Sequence, residues 1–108
     1  MMNCSKSNDN LSFIFNLKQS ITSEYNTNKI NIHINEDADN INLQIFITDP
    51  KFNNYSVQEK RDMAKTIKKF TAKNEMKTFK TKTGELIFKN ETNNIIFKTT
   101  DSESYKMY

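Results

Sequence analysis

Two rows of isoleucine constrain this chain more than any other feature in it. Ile30, Ile32 and Ile34 alternate with Asn31, His33 and Asn35, and Ile41, Leu43, Ile45 and Ile47 alternate with Asn42, Gln44, Phe46 and Thr48. A period of two places every second side chain on one face of a strand, so both segments read as half-buried antiparallel strands. Asp37 to Asn40 supplies turn residues between them. Both rows share a face only in registers whose paired residue numbers sum to an odd value, which sets Ile34 opposite Ile41 or Leu43. Asp49 and Pro50 end the second strand, and Lys51 to Tyr55 reads as a loop.

A sheet with one apolar face needs a second layer, and two segments have the periodicity to supply it. Leu11, Ile14, Leu17, Ile21 and Tyr25 recur at spacings of three and four behind Asp9, a candidate N-cap, so residues 9 to 25 read as an amphipathic helix. Leu11, Phe13, Phe15 and Leu17 also alternate as a short strand would, but the longer run favours helix, with Phe13 and Phe15 widening its apolar face. Ser56 and Glu59 form a capping box opening a second helix through about residue 74. Met63, Ile67 and Phe70 make its buried stripe, flanked by Val57 and Ala64. Arg61, Lys65, Lys68, Lys69 and Lys73 fall on the opposite half.

The remainder reads as a meander of residues 76 to 82, 85 to 90 and 94 to 100. A turn at Thr83-Gly84 sets Lys82 opposite Glu85 and Phe79 opposite Phe88, and a turn at Thr92-Asn93 sets Phe88 against Phe97. Phe79, Leu86, Phe88 and Phe97 then share the core face. Lys80, Lys82, Lys89 and Lys98 share the other with Ile87 and Ile96. The expected fold is a two-layer α+β domain in the order helix, β-hairpin, helix, three-stranded antiparallel meander. It spans residues 1 to 108 as one domain, with residues 1 to 8 and 101 to 108 as flexible ends.

Composition bounds the setting. The single cysteine, Cys4, cannot form an internal disulfide; no apolar run reaches the length of a membrane span; and the start MMNCSKSNDN lacks the apolar core of a signal peptide. A cytoplasmic protein without a membrane partner is expected. Fifteen Lys against one Arg, sixteen Asn, twelve Ile and one Gly reflect AT-rich coding, as in a low-GC bacterium or its phages and plasmids. The sequons at Asn3, Asn10, Asn54 and Asn90 follow from that asparagine content.

The motifs of common chemistries are missing. His33 is the only histidine and sits on the outward side of its strand, which leaves a nucleophilic triad unsupported. One glycine cannot build a phosphate-cradling loop, and one Cys with one His cannot hold zinc. Glu36, Asp37 and Asp39 cluster on a turn, without the length or glycine of a calcium loop. The reading is a non-enzymatic protein with no catalytic residue, metal or cofactor.

Charge carries the one positive signal. Residues 60 to 100 hold eleven of the sixteen basic side chains and four of the thirteen acidic ones, a net charge near +7 against about −4 elsewhere. Such a block suits phosphate neutralisation. The expected function is nucleic-acid binding, DNA rather than RNA, through Arg61, Lys65, Lys68, Lys69, Lys73, Lys80, Lys82, Lys89 and Lys98. The hairpin of residues 85 to 98 serves as a wing whose tip is Glu91 to Asn94. The alternative is a protein-directed inhibitor or adaptor of the anti-defence or immunity type, and a homodimer is compatible with either. Phe46 shares the outward row with His33, as a stacking platform, an interface anchor or, the preferred reading, a residue covered by a helix. Ile87 and Ile96, on the lysine-rich face, mark dimerisation or burial under the first helix.

Overall fold

The computed structural model of the chain describes residues 2–37, 40–74, 80–93 and 98–108. In order, these form α1 (Met2–Tyr25), β1 (Ile30–Asp37), β2 (Asn40–Ile47), a 3-10 turn (Pro50–Asn54), α2 (Val57–Asn74), β3 (Lys80–Asn93) and β4 (Lys98–Lys106). The class is α+β, two helices on a four-stranded mixed sheet of order β1-β2-β3-β4.

The isoleucine rows behave as their alternation requires. β1 and β2 pair antiparallel with Ile34 opposite Leu43 and Ile32 opposite Ile45, so one face of the hairpin is apolar up to Glu36, which stands opposite Ile41. Ile41, Leu43, Ile45 and Ile47 are all buried in the main core. The capping box is also present: the Glu59 backbone N–H donates to Ser56 Oγ at 3.1 Å, and the Ser56 N–H donates to Glu59 Oε1 at 3.0 Å. α2 then runs to Asn74 with Met63, Ala64 and Ile67 buried, while Val57 stays exposed.

α1 begins at Met2, so Asp9 lies inside the helix and not at its cap. Phe13, Leu17 and Ile21 are fully buried, whereas Leu11 and Phe15 are exposed; the apolar face of α1 is narrower than the sequence suggests. Its C-terminus ends at Asn26, whose φ of 53° is the left-handed conformation that asparagine tolerates. Lys51 Nζ donates to the carbonyls of Tyr25 and Asn26, satisfying acceptors that the helix leaves open.

The expected three-stranded meander is replaced by two long strands. β3 runs straight through Thr83-Gly84 and pairs in parallel with β2, Leu43 opposite Gly84 and Ile47 opposite Phe88. Parallel neighbours need a crossover, and the 3-10 turn with α2 provides it. Gly84 makes no turn. A Cβ there would lie 2.8 Å from Met107 Cε and 2.9 Å from Tyr108 Cδ2, so the glycine admits a close approach of the C-terminus. Residues 101 to 108, expected to be a loose tail, instead complete β4 and bury Met107. Phe88 faces Glu103, not Phe97. The readings placed on Phe79, Ile96 and Phe97 fall outside the described residues.

Both helices lie on one side of the sheet. Phe13, Leu17 and Ile21 of α1 and Met63 and Ile67 of α2 share one core with the inward rows of β1, β2 and β3. Among the described residues, no helix packs on the other face, and no helix is long and apolar enough to cross a membrane. β2 and β3 part at Ile47 and Phe88, while β3 and β4 stay paired five residues further, to Asn93 and Lys98. The β3–β4 hairpin therefore projects from the sheet as a two-stranded arm of about 17 Å. Glu91, Thr92 and Asn93, expected at the wing tip, are still paired, and the turn itself lies outside the described residues.

Candidate nucleic-acid interface

The nine cations of the expected binding surface do not form one patch. Arg61, Lys65, Lys68, Lys69 and Lys73 are exposed on α2, over the helical layer. Lys80 and Lys89 belong to the open sheet face on the opposite side. Lys80 stands opposite Asn40 and Lys89 opposite Ser102, both in the outward register row, and Lys98 pairs with Asn93 on the arm. The helix and strand cations do not converge.

A β-bulge explains why Lys80 and Lys89 share a face despite odd spacing. The β2–β3 register shifts between Ile41 and Asn42, whose partners are Thr81 and Thr83, so Lys82 is the extra residue. An extra residue reverses the alternation of all that follows. The bulge performs the parity change that the sequence reading assigned to a turn at Thr83-Gly84.

Lys60 leaves the basic block altogether. It is buried, its Nζ lies 3.1 Å from Glu103 Oε2 on β4 and 5.1 Å from the centroid of Phe88. Conversely, Lys106 enters it. Lys106 stands opposite Glu85 on the outward row and borders a groove with Arg61 and Lys65 along the outer edge of β4. The alternation Ser102, Ser104, Lys106 was the available sign, hidden by the absence of an apolar row in β4.

The open face carries more than charge. Phe46 and His33 meet edge to face, ring centroids 5.2 Å apart at 86°, and Lys89 Nζ lies 4.8 Å from the Phe46 centroid. No described helix covers Phe46, which overturns the preferred reading of that residue. Ile87, opposite Phe46, is buried on this face outside the main core. α1 packs on the other side, so burial under the first helix does not account for Ile87.

Beside the aromatic pair lies a groove of about 380 Å3, lined by His33, Asn35, Asn42, Gln44, Thr83 and Glu85. β1, β2 and β3 each contribute, because their outward rows run in register: Asn35 beside Asn42, His33 beside Gln44, Gln44 beside Glu85. Thr83 Oγ1 donates to Asn42 Oδ1 at 2.7 Å. That bond leaves the Asn42 amide N–H groups free to face a ligand. No three His, Cys, Asp or Glu side chains gather in a metal-holding cluster among the described residues.

No family model, curated protein or solved structure matches this chain. The open face offers hydrogen-bonding amides, an aromatic pair and lysines in the same outward row, an inventory suited to an extended anionic ligand with flat polar groups. The α2 side offers cations with aromatic neighbours, Lys68 Nζ lying 5.0 Å from the Tyr108 ring centroid and Tyr105 lining a groove with Arg61 and Lys65, but among the described residues it lacks the row of amides that the open face carries.

Proposed function

We propose that this protein is a non-enzymatic nucleic-acid-binding protein that seats its ligand on the open face of the sheet. The observation that supports this most is the uncovered outward face, on which Lys80, Lys89 and Lys106 share the register row of the groove residues and the Phe46–His33 pair, with Lys82 exposed at the bulge. Lysines neutralise phosphates and position the strand, while amides and rings supply uncharged contacts. Lys68, Lys69 and Lys73 on α2, with Arg61 and Lys65 at the β4 edge beside Lys106, add to the positive field that steers a polyanion toward the molecule. The projecting β3–β4 arm extends the reach of the same face beyond the four-stranded sheet.

The test is the salt dependence of binding. Affinity for an oligonucleotide is expected to fall steeply with salt, and replacing Lys80, Lys82, Lys89 and Lys106 with Ala should flatten that dependence by about one unit of slope for each phosphate no longer neutralised. Charge removal on α2 at Lys65, Lys69 and Lys73 should slow association and leave most of the affinity. Unchanged binding by the sheet-face variant would sink the proposal.

A protein-directed role is favoured by one observation. The groove between α2 and β4 follows a sheet edge that is unpaired among the described residues and is lined by Arg61, Lys65 and Lys106, which suits an acidic extended segment adding as a strand. A stoichiometric protein partner that survives nuclease treatment would promote this reading.

A further inference from the structure

We infer that the ligand of the open face is a single strand, with an unpaired base held by the Phe46–His33 pair and the adjoining groove. This inference rests on the nucleic-acid reading above and narrows it to one substrate class. A row of cations alone accepts any polyanion, duplex included. The groove is different, because its lining addresses groups that a duplex keeps hidden.

Asn35, Asn42 and Gln44 each present both a donor and an acceptor, and Glu85 adds an acceptor. These are the complements of a base edge that is not engaged in pairing. The Thr83 hydroxyl fixes the Asn42 amide by its 2.7 Å bond, so that amide is oriented before any ligand arrives. Phe46 and His33 stand beside the groove, and base stacking on such rings tolerates any base.

Lys89 connects the two kinds of contact. In the structure its ammonium lies over the Phe46 ring, 4.8 Å from the centroid. A base arriving on that ring displaces the ammonium, whose flexible stem then carries it to the neighbouring phosphate. Lys82, exposed at the bulge, and Lys89 stand seven residues apart on β3, at most about 23 Å along the strand, and the groove residues Thr83 and Glu85 lie between them in the chain. An extended strand laid along β2 and β3 meets cation, groove, ring and cation in turn.

The experiment compares a fluorescently labelled oligodeoxythymidine, an abasic oligomer of equal length and a blunt DNA duplex, each titrated against wild type, Phe46→Leu, Gln44→Ala and Lys82→Ala/Lys89→Ala. The oligothymidine is expected to bind at least about tenfold tighter than the abasic oligomer, the scale of one base–aromatic stack. Phe46→Leu should remove most of that gap. Gln44→Ala, at an exposed position, should narrow the gap too, and it serves as the reporter if the Phe46 change disturbs the sheet. The lysine variant should weaken both oligomers together. Equal binding of the oligothymidine and abasic oligomers, or preference for the duplex, overturns the single-strand inference while the phosphate-contact reading stands. Absence of any lysine effect overturns both.

Discussion

Lys60 on the first turns of α2 is joined to Glu103 on β4 by an ion pair of 3.1 Å in which the two partners differ sharply in burial. The lysine side chain is 7% exposed and the glutamate 52%. Glu103 Oε2 also accepts from the Tyr105 hydroxyl at 2.6 Å, a bond that with Lys60 holds the carboxyl below its usual range and pushes the Tyr105 phenol up. The asymmetry makes the two single substitutions unequal. Glu103→Ala strands a buried ammonium and should cost about 1–2 kcal/mol, less than a fully buried pair because water reaches the carboxylate side. Lys60→Met removes the charge but keeps an apolar stem over Phe88, and should lie within about 1 kcal/mol of wild type. Denaturant unfolding of both variants checks this, and equal losses would count against it.

Gly84 and Met107 form a second coupled pair. The Met107 N–H donates to the Gly84 carbonyl at 2.8 Å, and a Cβ at position 84 would meet the Met107 and Tyr108 side chains at under 3 Å. Gly84→Ala is expected to cost about 1–2 kcal/mol by overpacking, limited because the obstructing atoms are ends of flexible side chains. Met107→Ala should cost about 2–3 kcal/mol as a buried truncation. In the Met107→Ala background one of the two obstructing side chains is gone and only the Tyr108 ring has to give, so the double variant should be more stable than the sum of the two losses. Strict additivity in thermal or urea unfolding would refute the contact.

The cap of α2 gives a local test. Ser56→Ala removes the acceptor of the Glu59 N–H and should destabilise by about 1 kcal/mol. Glu59→Gln keeps the reciprocal bond to the Ser56 N–H and should cost only a few tenths. Circular dichroism melts of the two variants separate the outcomes.

What could be read from the sequence was what local spacing decides. The β1–β2 register, the helical stripe of Met63, Ile67 and the half-buried Phe70, and the Ser56–Glu59 box depend on residues a few positions apart. The parallel pairing of β2 with β3 does not, since it is set by a crossover of some thirty residues and leaves no periodic mark. Gly84 misled because a glycine admits either a turn or a close approach, and only the position of Met107 decides between them. β4 was hidden for a different reason: it pairs along one edge, and its inward apolar side chains come late, at Tyr105 and Met107. In the candidate site, Lys80 and Lys89 do share a face, but through the bulge at Lys82 and not the turn at Thr83-Gly84 from which it was expected, and the burial of Lys60 and the arrival of Lys106 depended on where β4 lies.

Acid sensitivity should centre on Asp49, which ties the α1–β1 connection to the 3-10 turn. Its Oδ2 accepts from the Thr27 hydroxyl at 2.6 Å and its Oδ1 from the Lys51 N–H at 3.1 Å. The Thr27 bond above all, helped by the Lys51 N–H and the charges of Lys51 and Lys29, holds the carboxyl below the ordinary aspartate value against some desolvation. A depressed folded-state pKa means that the unfolded chain takes up the proton first as pH falls. The stabilisation is therefore complete above the ordinary aspartate pKa of about 4 and drains away below it. Glu103, also depressed, adds to the same loss. At neutral pH Asp49→Asn should be less stable than wild type by about 1 kcal/mol, since a charge-assisted bond becomes a neutral one. Between about pH 5 and pH 3 the wild type should lose stability faster than the variant, so that the two curves converge. Urea unfolding across that range measures both slopes, and parallel curves would show that Asp49 contributes nothing to the acid response.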